Sequence, residues 1–200
     1  MKNKLGVFWI ITVSALGLLL ASVNASAQGP RFIPEGREID LLPPYCAAKM
    51  KDVNSSYWQE KLGPKNFVHI HHLCFALYAK NKAISTFDKK DRQYLLQRAI
   101  GNFEYIESHV EPDFILLVIV YIEKADVYRL LDMYAKAEEY YLKAIRFNPD
   151  YAKAYASYSQ YFVYRNDYAK AEEVLMNGLK MIPDSRSLNR RLKRLKKKIK

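Results

Sequence analysis

The 200-residue sequence predicts an all-α fold, a solenoid of stacked helix pairs. Three observations carry that prediction. The hexapeptide Tyr-Ala-Lys-Ala-Glu-Glu stands at 134–139 and again at 168–173, a period of 34 residues, the length of one helix-turn-helix unit. Laying 118–151 over 152–185 also pairs Tyr121 with Tyr155, Tyr128 with Phe162, and Pro149-Asp150 with Pro183-Asp184. Finally, Ala137 and Ala144, like Ala171 and Gly178, place small side chains on one helix face, where a neighbouring helix can approach closely.

Residues 1–27 open on Lys2 and Lys4, continue as an apolar run from Leu5 to Ala21, and close on Ala25-Ser26-Ala27. A basic start, an apolar middle and a small-residue site describe a secretory signal peptide cut before Gln28. The alternative is an uncleaved inner-membrane anchor facing the periplasm, since the run touches the length a spanning helix needs. Either way the chain is expected in a periplasm or outside the cell. Gly29, Pro30, Pro34 and Gly36 make 28–40 a flexible lead-in, and 41–62, starting Leu41-Leu42-Pro43-Pro44, is expected to cap the open end of the solenoid.

The repeat domain is expected over 63–185. Helices of about 14 residues are predicted at 118–131, 134–147, 152–165 and 168–181, because Pro149 and Pro183 lack a backbone donor and end each second helix. With those positions in view, the chain resembles the tetratricopeptide repeat family. The resemblance rests on Tyr121 and Tyr155, then Ala125 and Ser159, Tyr128 and Phe162, Tyr134 and Tyr168, the small pairs, and the closing prolines. Lys124 departs from it, standing where the family prefers leucine, so the first helix of that unit is expected to pack imperfectly. A degenerate third unit is placed upstream at about 66–108, with helices at 67–80 and 91–108 and a long loop at 81–90. In it Ala99, Phe103 and Ile106 take the small, aromatic and small positions.

The resemblance implies a groove lined by the first helix of each pair. Its inward positions are Ile122, Asp126 and Arg129 in one unit, and Ala156, Gln160, Val163 and Tyr164 in the next. A protein or peptide segment is the expected partner. The family's carboxylate clamp uses lysines and asparagines at such positions, and Ala156, Ser157 and Gln160 do not match it. Tyr161 and Tyr164 are not required by the repeat pattern, and Tyr164 is the best candidate for a partner anchor.

Charge is concentrated at one end. The whole chain is +11, yet 186–200 holds nine Lys or Arg and no acid, leaving the body neutral. Leu188, Leu192, Leu195 and Ile199 form one stripe of a helix capped near Asp184 or Ser185. The stripe is expected to cap the last repeat. Outward-facing Arg190, Arg191, Arg194, Lys197 and Lys198 would then be free to meet an anionic membrane surface or acidic polymer. Export argues against nucleic acid.

Cys46 and Cys74 are the only cysteines, and an even count in an oxidising compartment favours a bridge between them that pins the cap to the first repeat. Free thiols are the alternative. His69, His71 and His72 lie beside Cys74, so a metal- or thiol-active protein around His69, His72 and Cys74 is a further, weaker reading. The plainer one has these imidazoles bonding backbone of the N-terminal segment. Neither a glycine-rich phosphate loop, nor a Gly-x-Ser-x-Gly elbow, nor a His-Glu-x-x-His pair occurs. The expectation is therefore a non-catalytic scaffold without a cofactor, exported by a bacterium and holding a partner segment in envelope or polymer-export assembly. A membrane-surface adaptor using the basic helix is the alternative.

Overall fold

The computed structural model describes residues 29–199; the signal segment expected at 1–27 lies outside them. Among the described residues, a short 3-10 turn at Gly36–Leu41 precedes ten α-helices. These are α1 (Pro44–Lys51), α2 (Ser55–Leu62), α3 (Pro64–Phe67), α4 (Ile70–Ser85), α5 (Lys89–His109), α6 (Leu117–Leu130), α7 (Tyr134–Phe147), α8 (Ala152–Tyr164), α9 (Tyr168–Met181) and α10 (Arg186–Ile199). Helices α4 and α5, α6 and α7, and α8 and α9 pack as pairs, and the pairs stack in chain order. The first helices of the pairs, α4, α6 and α8, also touch one another along an inner row, while α1 lies on α4 and α10 on α8 and α9. This is a helical-repeat solenoid of three units.

The period reaches into the turns. Asp132 and Asn166, 34 residues apart, both hold φ at 58°, the left-handed conformation that reverses the chain between the helices of a pair. Asp and Asn tolerate it better than most residues with a Cβ. Each turn is tied by the tyrosine two residues on: Tyr134 donates its hydroxyl to Asp132 Oδ1 at 2.6 Å, and Tyr168 donates to Asn166 Oδ1 at 3.1 Å. Close approach explains the small residues. A Cβ on Gly178 would fall 2.7 Å from the Tyr155 ring and 2.9 Å from Leu188, so α9, α8 and α10 meet where only glycine fits.

Three segments of the fold depart from the sequence reading. The segment 81–90 is not a long loop: α4 continues to Ser85 because Ala83 is fully buried, and only 86–88 turn the chain. The lead-in is docked rather than flexible. Arg31 donates to Glu38 Oε2 at 2.8 Å, Lys82 donates to the Arg31 carbonyl at 2.9 Å, Arg98 lies 4.1 Å over the Phe32 ring, and Ile39 is buried. Lys124, finally, packs well: it is 1% exposed, with Nζ donating to Glu107 Oε2 at 3.0 Å and to the Tyr140 hydroxyl at 2.8 Å. Its buried charge is matched across α5, α6 and α7.

Candidate functional site

A cleft of about 470 Å³ opens along the inner row of helices. One wall is the start of α1 with the residues before it, Leu42, Pro43 and Tyr45; the opposite side is Ile115, Leu116 and Ile119 at the entry to α6, with Leu77 of α4 between. Ile115 is 56% exposed, an apolar side chain left in water at the mouth. Because Cys46 and Cys74 are bonded, with Sγ atoms 2.08 Å apart, α1 is covalently held against α4 and the first wall is fixed.

Charge enters from three helices at once. Glu123 of α6 is buried between Lys80 of α4, which donates to Oε2, and Lys153 of α8, whose Nζ lies 3.0 Å from Oε1. Burial alone would raise the Glu123 carboxyl, but the two lysines outweigh it and hold it below the usual carboxylate range. Lys153 is raised, as Glu123 overcomes the opposing effect of burial. The cleft therefore carries a fixed, hydrogen-bonded ion triad with one net positive charge on a mostly apolar floor that also includes Asn81 and Asn148.

The inward positions expected from sequence do not lie in this cleft. Ile122 is fully buried and belongs to the core, because α6 is flanked on its inner side by both α4 and α8; Ala156 is also buried. Asp126 is engaged inside the fold, accepting the Tyr141 hydroxyl at 2.6 Å, and burial is the main cause that raises its carboxyl above the usual range. Arg129 and Tyr164 do meet each other, the guanidinium carbon 4.4 Å over the ring, in a separate hollow. Tyr161 is core. Gln160 and Val163 lie beneath α10, lining a hollow of about 200 Å³ with Arg191, Arg194 and Lys198. The capping helix thus covers the inner face of the last repeat, and sequence spacing could not have placed it there.

On α10, Leu188 and Leu195 are buried, Leu192 is partly so, and Ile199 is exposed, while Ser185 Oγ accepts the Leu188 amide at 3.4 Å as the cap. Arg190, Arg191, Arg194, Lys197 and Lys198 are all exposed. Among the described residues only Lys196 of this helix reaches a carboxylate, Glu172 at 3.2 Å.

The disulfide removes Cys74 from any thiol chemistry or metal ligation. Among the described residues no group of three or more His, Cys, Asp or Glu side chains is arranged to hold a metal ion. His69 and His72 meet side chains of α5 rather than backbone of the N-terminal segment. They gather on α5: His72 stacks on Tyr105 at 3.6 Å and Tyr105 on His109 at 3.8 Å, while His72 Nδ1 lies 2.8 Å from Asn102 Oδ1 and His69 Nδ1 lies 3.3 Å from the Tyr105 hydroxyl.

Among the described residues no helix is long and apolar enough to cross a membrane. The tetratricopeptide repeat family profile matches residues 118–151. Similar solved structures include the first tetratricopeptide domain of Spaghetti (RPAP3), bound to an HSP90 peptide. It is 20% identical, covering 62% of this chain and 94% of that one, with a TM-score of 0.42. The Sgt2 tetratricopeptide domain from Aspergillus fumigatus is 21% identical, covering 62% and 78%, with a TM-score of 0.43. No curated protein matches the sequence.

Proposed function

We propose that this chain, which carries a tetratricopeptide repeat at 118–151, is a non-catalytic scaffold that holds a protein or peptide segment in the cleft between α1 and the inner helices. The observation that supports the reading most is the cleft itself. It offers a mostly apolar floor of a size that takes one or two side chains, with Ile115 exposed at its mouth and the Lys80–Glu123–Lys153 triad beside it. A segment with an apolar anchor and a neighbouring acidic group suits that surface. The fixed triad supports a holding role over catalysis.

The working place we propose is the periplasm, in envelope or polymer-export assembly. Ala25-Ser26-Ala27 after an apolar run and a disulfide suited to an oxidising compartment support it. Affinity capture from envelope fractions tests the reading: a partner should co-purify with the parent chain and be lost from Ile115→Asp, which changes an exposed side chain. Equal recovery with both would remove the cleft as the site.

A second reading is favoured by α10, whose exposed cations, among the described residues, meet a carboxylate only at Lys196: an adaptor for anionic membrane surfaces. Vesicles containing anionic lipid should retain the parent chain at low salt and release an Arg190→Glu, Lys197→Glu variant. Retention of both chains alike would rule it out.

A further inference from the structure

The turn between α6 and α7 borders a second hollow, of about 270 Å³, that shares no lining residue with the cleft. Three arginines from three parts of the chain line it: Arg92 on α5, Arg129 at the end of α6, and Arg165 just beyond α8. Converging like charges repel, so a fold that brings three together needs counter-charge nearby. One carboxylate, Asp132, lines the hollow with them, leaving three cations to one anion there. Asp132 accepts the Tyr134 hydroxyl at 2.6 Å, and Asp126 accepts that of Tyr141 at 2.6 Å. Asp126 Oδ1 stands 3.7 Å from Arg129 Nε, too far for a hydrogen bond, and that Nε is buried with no acceptor. Arg92 and Arg165 form no ion pair among the described residues.

Two of the three guanidinium groups are nevertheless held in place. Arg129 lies 4.4 Å over the Tyr164 ring, and Arg165 lies 4.9 Å over the Tyr134 ring while donating to the Tyr161 hydroxyl at 2.9 Å. Stacking on aromatic faces orients the planar forks before a ligand arrives, which lowers the ordering cost of binding. Tyr164, exposed and outside the repeat pattern, serves here as the platform for Arg129.

We infer that this hollow binds a tetrahedral oxyanion, a phosphate or sulfate group carried by a larger molecule. One planar carboxylate is satisfied by a single fork, whereas three forks converging from three elements match the separate terminal oxygens of a tetrahedral group. The hollow is also roomier than a bare ion requires, leaving space for the rest of the molecule. The site is independent of the cleft reading, since it uses none of the same side chains.

Isothermal titration of the protein with methyl phosphate, at ionic strength matched with chloride, tests it. Saturable binding to one site is expected, about tenfold or more weaker in Arg92→Gln and in Arg165→Gln, whose side chains hold no ion pair that folding depends on. Arg190→Gln on α10 and Ile115→Asp in the cleft should bind as the parent does. Melting curves of the arginine variants serve as the folding control. Heats no larger than those of chloride, or equal binding by all variants, would overturn the site. With that binding in hand, vesicles of phosphatidylcholine with phosphatidic acid identify the source. Retention that Arg165→Gln abolishes assigns the phosphate to a lipid headgroup, and methyl phosphate binding without retention assigns it to a soluble or polymer-borne one. Both results uphold the site.

Discussion

Lys124 Nζ lies 3.0 Å from Glu107 Oε2, joining the first repeat to the second through a buried ion pair where the family prefers leucine. The lysine is 1% exposed and Glu107 sits mostly inside the protein. Lys124→Met should therefore destabilise the chain by roughly 2–3 kcal/mol, below the usual cost of breaking a buried pair because Lys143 remains 3.7 Å from Glu107. Adding Glu107→Met should restore most of the loss. Denaturant unfolding of the two variants reads both values, and an unchanged midpoint for Lys124→Met would show that the pair contributes nothing.

Gly178→Ala sets two effects against each other. Alanine in a helix gains about 1 kcal/mol over glycine, while overpacking costs about 1–3 kcal/mol. The new Cβ meets the root of the Tyr155 ring at 2.7 Å, not the free end of a flexible chain, so the clash should win. A melting temperature a few degrees lower is expected. A rise would mean that α8 and α10 yield there easily.

The Cys46–Cys74 bridge closes a loop of 28 residues, worth about 3.6 kcal/mol in the chain-entropy model. Peptide mapping without reductant should recover the linked pair. Cys46→Ala should lower stability by a similar amount and also weaken partner capture, because it releases the α1 wall. Full alkylation of both thiols in native protein from an oxidising compartment would contradict it.

Acid should weaken the fold in two steps. Burial, foremost, and the neighbouring charges lower His69 and His71 from the ordinary value of 6.5, so the folded protein resists their protonation more than the unfolded chain does. Stability is complete above pH 6.5 and declines as pH falls through the lowered folded values. The facing charges include His72 and Lys49, with His109 toward His69 from α5. Glu38, bonded chiefly by the Tyr78 hydroxyl, is lowered from 4.5 to about 2, so its contribution disappears only below pH 4.5. Melting temperature against pH checks the order, and constant stability between pH 7 and 5 would refute the histidine step.

The repeats were legible because packing residues recur every 34 positions, and the four helices at 118–131, 134–147, 152–165 and 168–181 match α6 to α9 to within a residue at each end. The functional surface was not legible to the same degree. Lys80, Glu123 and Lys153 are separated by 43 and 30 residues, neither of them the repeat period, so nothing in the pattern links them before the inner helices stack. Ile122 reads as groove-facing from helix geometry alone, and becomes core only because helices flank α6 on both sides. Gln160 and Val163 are instead partly covered by α10, with which they line a hollow. The bonded cysteines and the basic face of α10 depended on few long-range contacts, and sequence indicated both.

Partner binding in the cleft is tested most directly by placing a photo-crosslinking side chain at Ile115, inside the cleft mouth, and at Phe87, fully exposed in the turn between α4 and α5. In producing cells, illumination should give one discrete adduct from position 115 and none from position 87. An adduct from 87 with none from 115 would contradict the cleft as the holding surface.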